Sequence, residues 1–536
     1  LGAKQIDGAL KDAPEAKLNV LDTLFRLYTD LGLQEQAAAL GQKRIALAKS
    51  VYGPRHPEVA RALVELAANS NESSFAKDNP ALVKEAGAIL DANRDFTSRT
   101  RAIHDLAMAE QFKSTDLTKA ARFAAASLNI YRTYPPSSAL VSALDEMGQI
   151  QYAAKQFPDA IASFSEAARL ANSLQGNARS VLPKIYAVLG DAQRQAFDLV
   201  GAEKSLRQAL EAARSLNGDE HQDVLQTKYY LGLFLCQTAR PREGLKLLQE
   251  SVDLAIRTKG PDEGFHVPMV RRAYGVNLLQ YGRVEDGLTP LTESVETTRR
   301  VKRAGTRNFA DALALGSEGE TALGNYTKAE AMLREASAIH ARLGSTNASG
   351  QLNTTQLMWA KLLISTGRAS EAAKSLRELG VKPGASGGLS SAWLGVSAAL
   401  AEAAVALGEY DAAIRQADEV RKAIEASPLR PYLKRYEAQA ALQEGRALLK
   451  AGRAADALPL LQRAVQLGSE VYDPDRSPVL ADSQVAQASC LLELGRRDQA
   501  RALLAQARAI YSRHPALGEQ FKKPLRELEA RLAGRK

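Results

Sequence analysis

Small and apolar residues return along this chain at helical spacing, and one stretch shows the pattern most fully. Residues 144–167 read LDEMGQIQYAAKQFPDAIASFSEA, with Gly148 followed by Ala160, Phe164 and Ala167 at offsets of twelve, sixteen and nineteen. The spacing predicts two helices joined by a short turn. Gly148 and Ala160 are small where the helices cross, because larger side chains would hold the axes apart. Phe164 lies one turn after Ala160 on the same face and enters the same seam. The pattern recurs at Gly190/Ala202/Leu206/Ala209, Gly232/Gly244/Leu248/Ser251, Gly275/Gly287/Leu291/Ser294 and Gly445/Ala457/Leu461/Ala464. Weaker copies centre on Ala37, Ala120, Ala329, Ala372, Ala413 and Ala500. From Ala160 to Ala500 the anchors are 41 to 44 residues apart. The 83 residues between Ala37 and Ala120 leave room for one degenerate copy.

These residues resemble the tetratricopeptide signature, L-G-x-x-Y followed by A-x-x-x-F. Tyr152 comes one residue late, and no proline follows the second helix of that copy. The period is longer than the common 34 residues, so each helix gains about a turn at 3.6 residues per turn. Similar long repeats occur in kinesin-light-chain-like and bacterial signalling proteins. The expected fold is all-α: an α-solenoid, or superhelix, of about twelve helix pairs with a C-terminal capping helix. Repeats 1–3 are placed at 1–134, the second degenerate around NSNESSFAKDNP; repeats 4–9 at 135–379; a Gly/Ser-rich connector at 380–392; repeats 10–12 at 393–514; and the capping helix at 515–536. Loops such as YGPRHPEVA from Tyr52 and YDPDRSPVLAD from Tyr472 close one helix with Gly or Pro and open the next.

A 536-residue globular chain would divide into several domains, but an array buries each unit only against its neighbours. Aromatics make up 6% of the residues, which suits close helix packing better than a large core. The net charge of +9, spread over a long surface, reads as a soluble exterior. Cys236 and Cys490 stand six repeats apart, so no disulfide is expected between them; each reads as a small buried hydrophobe. The longest apolar run, residues 390–408, contains Glu402 and much Ala and Gly, and its register makes it the first helix of a pair rather than a membrane span. With no signal peptide or initiator Met, and with Leu1 reading as mid-helix, the sequence is expected to be part of a longer polypeptide whose array ends near Lys536.

The residues present do not spell a catalytic centre. There is no Walker loop, dinucleotide glycine fingerprint, HExxH, nucleophile elbow or kinase catalytic loop. No catalytic residue, cofactor or metal is therefore expected. His56, His221, His266 and His514 fall between helices, where they are expected to bond helix ends. Asp473 and Asp475 read as turn formers. The basic run Arg299, Arg300, Lys302 and Arg303 closes a helix and suits its dipole, so nucleic acid is not expected as a partner. The chemistry left is recognition of a protein or peptide along the concave wall lined by the first helix of each pair. The register points to Asp145, Gln149, Tyr152, Lys184, Asp191, Arg194, Gln226, Tyr229, Arg272 and Gln280 as that wall. Amides, tyrosines and charged groups there can bond a backbone, pack, or pair with ligand charges. The positions after the reference glycine, Gln149, Asp191, Leu233 and Val276, lack the carboxylate clamp of chaperone-binding relatives.

The opening LGAKQIDGALKDAPEAKLNVLDTLFRLYTDLGL and the closing segment from Tyr472 resemble the two ends of the repeat region in a group of proteobacterial serine/threonine kinases. That resemblance implies a non-catalytic, ligand-sensing region outside the cytoplasm, in the periplasm, tied to the membrane only through an upstream segment. It implies signalling by groove binding or by pairing of two arrays as a homodimer. The alternatives are a cytoplasmic scaffold or adaptor, or the sensor arm of a signalling ATPase or transcription activator.

Overall fold

The computed structural model describes residues 13–69, 76–174, 176–238, 240–343, 352–381 and 389–534. Residues 382–388 of the expected connector, 70–75 of the degenerate repeat and the opening 1–12 lie outside these. All regular structure among the described residues is helical. The described residues form twelve α-helix pairs and a final single helix. None of the described helices is long and apolar enough to cross a membrane.

The chain divides into two compact units, Leu1–Gly218 and Asp219–Lys536. This joint coincides neither with the expected boundary between residues 134 and 135 nor with the Gly/Ser-rich connector. The first unit holds α1 (Pro14–Asp30), α2 (Gln34–Tyr52), α3 (Pro57–Asn69), α4 (Asn79–Ala92), α5 (Arg99–Phe112), α6 (Leu117–Tyr131), α7 (Ser138–Ala153), α8 (Phe157–Ser173), α9 (Leu182–Gln195) and α10 (Leu199–Asn217). The second holds α11 (Gln222–Gln237), α12 (Pro241–Lys259), α13 (His266–Tyr281), α14 (Val284–Arg300), α15 (Arg307–Ala322), α16 (Tyr326–Arg342), α17 (Leu352–Ser365) and α18 (Ala369–Glu378). It continues with α19 (Ser391–Leu407), α20 (Tyr410–Glu425), α21 (Lys434–Lys450), α22 (Ala454–Val471), α23 (Pro478–Glu493), α24 (Arg497–Ser512) and α25 (Glu519–Ala533).

Each pair is held as the spacing predicts. Phe164 is 1% exposed and lies over Gly148, where an added Cβ would come within 2.6 Å of the ring. Burying such a ring contributes about 1.5–3 kcal/mol. Where serine replaces alanine three residues after the seam residue, its hydroxyl donates to a carbonyl of its partner helix: Ser251 to Leu225 at 3.0 Å and Ser294 to Pro268 at 2.7 Å. Most turns within a pair hold one left-handed residue, the α5–α6 turn being an exception. Glycine fills it at Gly452, but Lys155 (φ 61°) and Phe197 (φ 64°) fill it in pairs four and five. An L side chain there costs about 1–2 kcal/mol, partly offset by the chain entropy a glycine would lose. Phe197 is 53% exposed, so its ring contributes little packing in return. Phe197→Gly is expected to slow hydrogen exchange of the α9–α10 turn, whereas Gly452→Phe should speed exchange at its own turn.

The second unit returns on itself. The turn after α13 meets the loop before α23: Asp473 N–H donates to Tyr281 O at 2.8 Å, and a Cβ at Gly282 would strike Ser477 Oγ at 2.2 Å. Arg476 reaches Asp286 at 2.7 Å. One pair further on, Gly518 N–H donates to Ala322 O at 2.9 Å. Gln520 adds a bond to Thr321 O at 2.8 Å and accepts from Tyr326 Oη–H at 2.9 Å. The closing helix α25 covers the last pair through Arg497 to Leu532 O (2.8 Å) and Arg508 to Glu529. Its leading loop also docks on pair eight, so this end is not simply an open end with a cap.

His514 sits in that seam with an acceptor on each ring nitrogen: Glu285 on Nδ1 and Arg476 O, 2.6 Å from Nε2. Only the imidazolium can donate to both. The Glu285 carboxylate, working against partial burial, holds the His514 pKa above its ordinary value. A raised folded-state pKa stabilises fully below the unfolded value of about 6.5 and fades as pH rises through the folded value. The advantage in melting temperature of the wild type over His514→Gln is therefore expected to shrink steadily above pH 6.5. Equal loss at every pH would show that the charge plays no part.

Candidate functional site

The first helices of successive pairs set the polar faces of both units. In the first unit, side chains from α5, α7 and α9 join across three pairs. Lys113 donates to Glu146 at 2.9 Å and Gln149 at 3.2 Å; Gln149 donates to Asp145 at 2.9 Å; Lys184 reaches Asp145 at 3.1 Å. Further along the same helices, Tyr152 donates to Asp191, Arg194 pairs with Asp191 at 2.6 Å, and Gln195 donates to the Tyr152 hydroxyl at 3.2 Å. The structure thus brings together all six residues expected for this part of the wall in two linked clusters. Lys113, Glu146 and Gln195 complete them.

Electrostatics follow from that crowding. Burial pushes the Glu146 carboxyl up, with Lys113 pulling it down and Glu110 and Asp145 adding like-charge repulsion. Burial also raises the Tyr152 phenol, reinforced by its hydrogen bond to Asp191. Lys184 remains 63% exposed, the most accessible charge of the group. Every charge here already has a partner, although Asp145 Oδ1 and Glu146 Oε1 accept no hydrogen bond, so a ligand would mainly exchange hydrogen bonds. Such exchange favours selectivity over raw affinity.

In the second unit the four expected residues do not form one cluster. Gln226 is half-buried on α11. Tyr229 packs edge-on against Tyr230, with ring centroids 5.2 Å apart. Burial raises the Tyr229 phenol while the Arg272 charge acts against it. Arg272 is half-buried and also acts on Asp311, whose carboxyl burial holds above the usual range. Gln280 accepts from Arg435 at 2.6 Å.

A row of alternating charge fills the same face further along. Glu318 on α15 pairs with Lys361 on α17, and Arg446 on α21 pairs with Asp482 on α23 at 2.5 Å. Glu402 on α19 stands between them. Burial raises its pKa, against the pull of Arg446 and Lys361. Burial opposes the Lys361 ammonium, but Glu318 outweighs it and keeps the pKa high. Glu318, Lys361, Glu402 and Arg446 continue the register of Gln149 and Asp191, 41 to 44 residues apart. Extending that register past Val276 would have found them.

The remaining sequence expectations resolve locally. His56 and His221 accept from the helix-opening amides of Glu58 and Asp223, each at 3.2 Å. Asp473 accepts from Asp475 N–H at 3.0 Å in a turn. Within the basic run, Arg299 pairs with Glu335, Arg300 pairs with Asp262, and Arg303 lies 5.9 Å from the centre of the Phe265 ring. Cys236 and Cys490 are free thiols, and burial pushes Cys236 up to about 12. Among the described residues no group of three or more His, Cys, Asp or Glu could hold a metal ion.

Residues 436–513, covering α22, α23 and α24 with most of α21, match the tetratricopeptide repeat family. Comparison with curated proteins gives no match. Among solved structures, the apo form of RapI is similar at 8% identity, over 77% of this chain and 98% of that one, with a TM-score of 0.48. Aspartyl phosphate phosphatase F from Bacillus subtilis is similar at 13% identity, over 66% and 90%, with a TM-score of 0.47. BtubC (BKLC) from P. vanneervenii is similar at 17% identity, over 44% and 93%, with a TM-score of 0.38. The family match over residues 436–513, with five helix pairs in the first unit and seven in the second among the described residues, supports a helical-repeat protein of the protein-interaction kind.

Proposed function

We propose that this chain is the non-catalytic, ligand-sensing arm of a bacterial membrane serine/threonine kinase, lying in the periplasm and reading a protein or peptide through the α5–α7–α9 face. The observation that carries recognition is the joined polar face itself: Lys113, Asp145, Gln149, Tyr152, Lys184 and Asp191 tie three consecutive pairs together at one surface. A ligand that rewires these bonds changes how neighbouring pairs pack, which is a route for signal from pair to pair along the first unit. The kinase assignment rests on the resemblance of the opening and closing segments to the ends of kinase-linked repeat regions.

The coding sequence upstream of Leu1 tests the parent protein. A kinase catalytic loop followed by one apolar helix is the expected result. An upstream region with neither would sink the kinase reading and leave a cytoplasmic scaffold or adaptor; a Walker loop there would point to a signalling ATPase.

A further inference from the structure

In the second unit the sequence LKRYEA opens α21, and its two cations behave differently. Lys434 reaches Glu470 at 2.7 Å. Arg435 turns into a cleft walled by α11 and α13 on one side and by the start of α21 on the other. There its guanidinium donates to Gln280 Oε1 at 2.6 Å and to the Tyr436 hydroxyl at 3.4 Å, and lies 5.2 Å from the Tyr436 ring centre. Among the described residues no carboxylate lies within ion-pair distance of it. The neighbouring cations of this face each hold one: Lys361 has Glu318 and Arg446 has Asp482. A half-buried guanidinium whose strong partner is a neutral amide oxygen gives up much of the stabilisation a counter-ion would provide.

We propose that this cleft binds a carboxylate monoanion, with Arg435 as its counter-ion. The planar guanidinium fork matches a carboxylate in two parallel hydrogen bonds. Gln280 offers its amide N–H₂ beside that fork, and Tyr281, Tyr432 and Tyr436 supply rings for the rest of the ligand. One formal positive charge, already exposed to the negative field of Glu318, suits a monoanion better than a phosphate dianion. Cys236 in the same wall stays a protonated thiol, so capture is non-covalent. The two walls are 155 residues apart in sequence, and a bound carboxylate ties them together.

The test is titration calorimetry on the full chain with phenylacetate, phenylacetamide, phenyl phosphate, and the peptide acetyl-Gly-Phe as its free acid and as its amide. Both acids are expected to bind and both amides to fail. Tighter binding of the peptide acid would identify a peptide C-terminus as the source, and tighter binding of phenylacetate a free small acid. Arg435→Gln is expected to weaken the acids at least tenfold, with folding checked by circular dichroism and melting. Gln280→Ala, on the opposite wall, should weaken them several-fold. Absence of acid binding to the wild type, equal binding of acid and amide, full affinity in Arg435→Gln, or a preference for phenyl phosphate would each overturn the assignment.

Discussion

Gly287→Ala is expected to loosen pair seven, α13 with α14 in the second unit, by about 3 kcal/mol, the upper end of the range for overpacking a close contact. The reason is what the new methyl would meet. A Cβ at Gly287 falls 2.7 Å from Gly275 O and 2.9 Å from Leu279 N, both backbone atoms. A Cβ at Gly275 meets Gly287 O at 2.7 Å. No rotamer change relieves such contacts, so α13 and α14 must separate. The separation also strains the seam, because Gly282 and Asp286 flank the same turn and hold Ser477 and Arg476. Gly316→Ala serves as the contrast. Its Cβ would meet only the Met332 terminal methyl at 2.8 Å, the end of a flexible side chain, and should cost under about 1 kcal/mol. Because repeat arrays do not unfold as one unit, the readout is hydrogen exchange resolved by helix. Gly287→Ala should speed exchange in α13, α14 and the 472–477 loop, and Gly316→Ala should not. Equal effects would show that helix approach is not set by the glycine pair.

Arg44→Ala is the second large effect, expected to cost about 3 kcal/mol in the first unit. Arg44 on α2 is 1% exposed and stands between Asp22 on α1, at 2.9 Å, and Glu65 on α3, at 2.6 Å. The oxygens lie within ion-pair distance but off the N–H directions, so the attraction is Coulombic more than hydrogen-bonded. Removing one partner of a buried pair costs about 3–5 kcal/mol, because the other charge stays behind. Here the lower end applies: Arg26 lies 3.1 Å from Asp22, and Arg61 lies 3.5 Å from Asp22 and 3.7 Å from Glu65, so both acids retain a cation. Exchange should rise in α1–α3 together. Arg44→Met, which keeps the apolar stem and removes the charge, should recover little of the loss; full recovery would mean that the stem of Arg44, not its charge, holds these helices.

Much of this fold was legible because each pair is a local decision. Gly148, Ala160 and Phe164 specify one seam by size alone, and the return of the pattern between Ala160 and Ala500 marks the later ones. The hydrogen-bonded groups of the first unit were legible for the same reason: Asp145, Gln149, Tyr152, Lys184, Asp191 and Arg194 share a register, and register fixes which helix faces meet. What the spacing does not carry is the return of the second unit on itself. That closure depends on small rotations accumulated over several repeats. It joins residues nearly 200 positions apart, such as Gly518 and Ala322, by backbone bonds and by scattered side-chain bonds that follow no repeat register. The partner of Arg435 was hidden likewise, since Gln280 reaches it only through that return. The alternating Glu318, Lys361, Glu402 and Arg446 row was within reach of the register and needs no tertiary information to find.

The recognition face of the first unit is tested most directly by affinity capture. The purified array is presented separately to periplasmic and cytoplasmic extracts, with Tyr152→Ala/Lys184→Ala, its folding confirmed by circular dichroism, run in parallel. The account predicts a specific periplasmic partner, identified by mass spectrometry and lost with the double substitution. A partner retained in full by the variant would contradict the α5–α7–α9 face as the binding surface, and a partner found only in the cytoplasmic extract would contradict the periplasmic sensor.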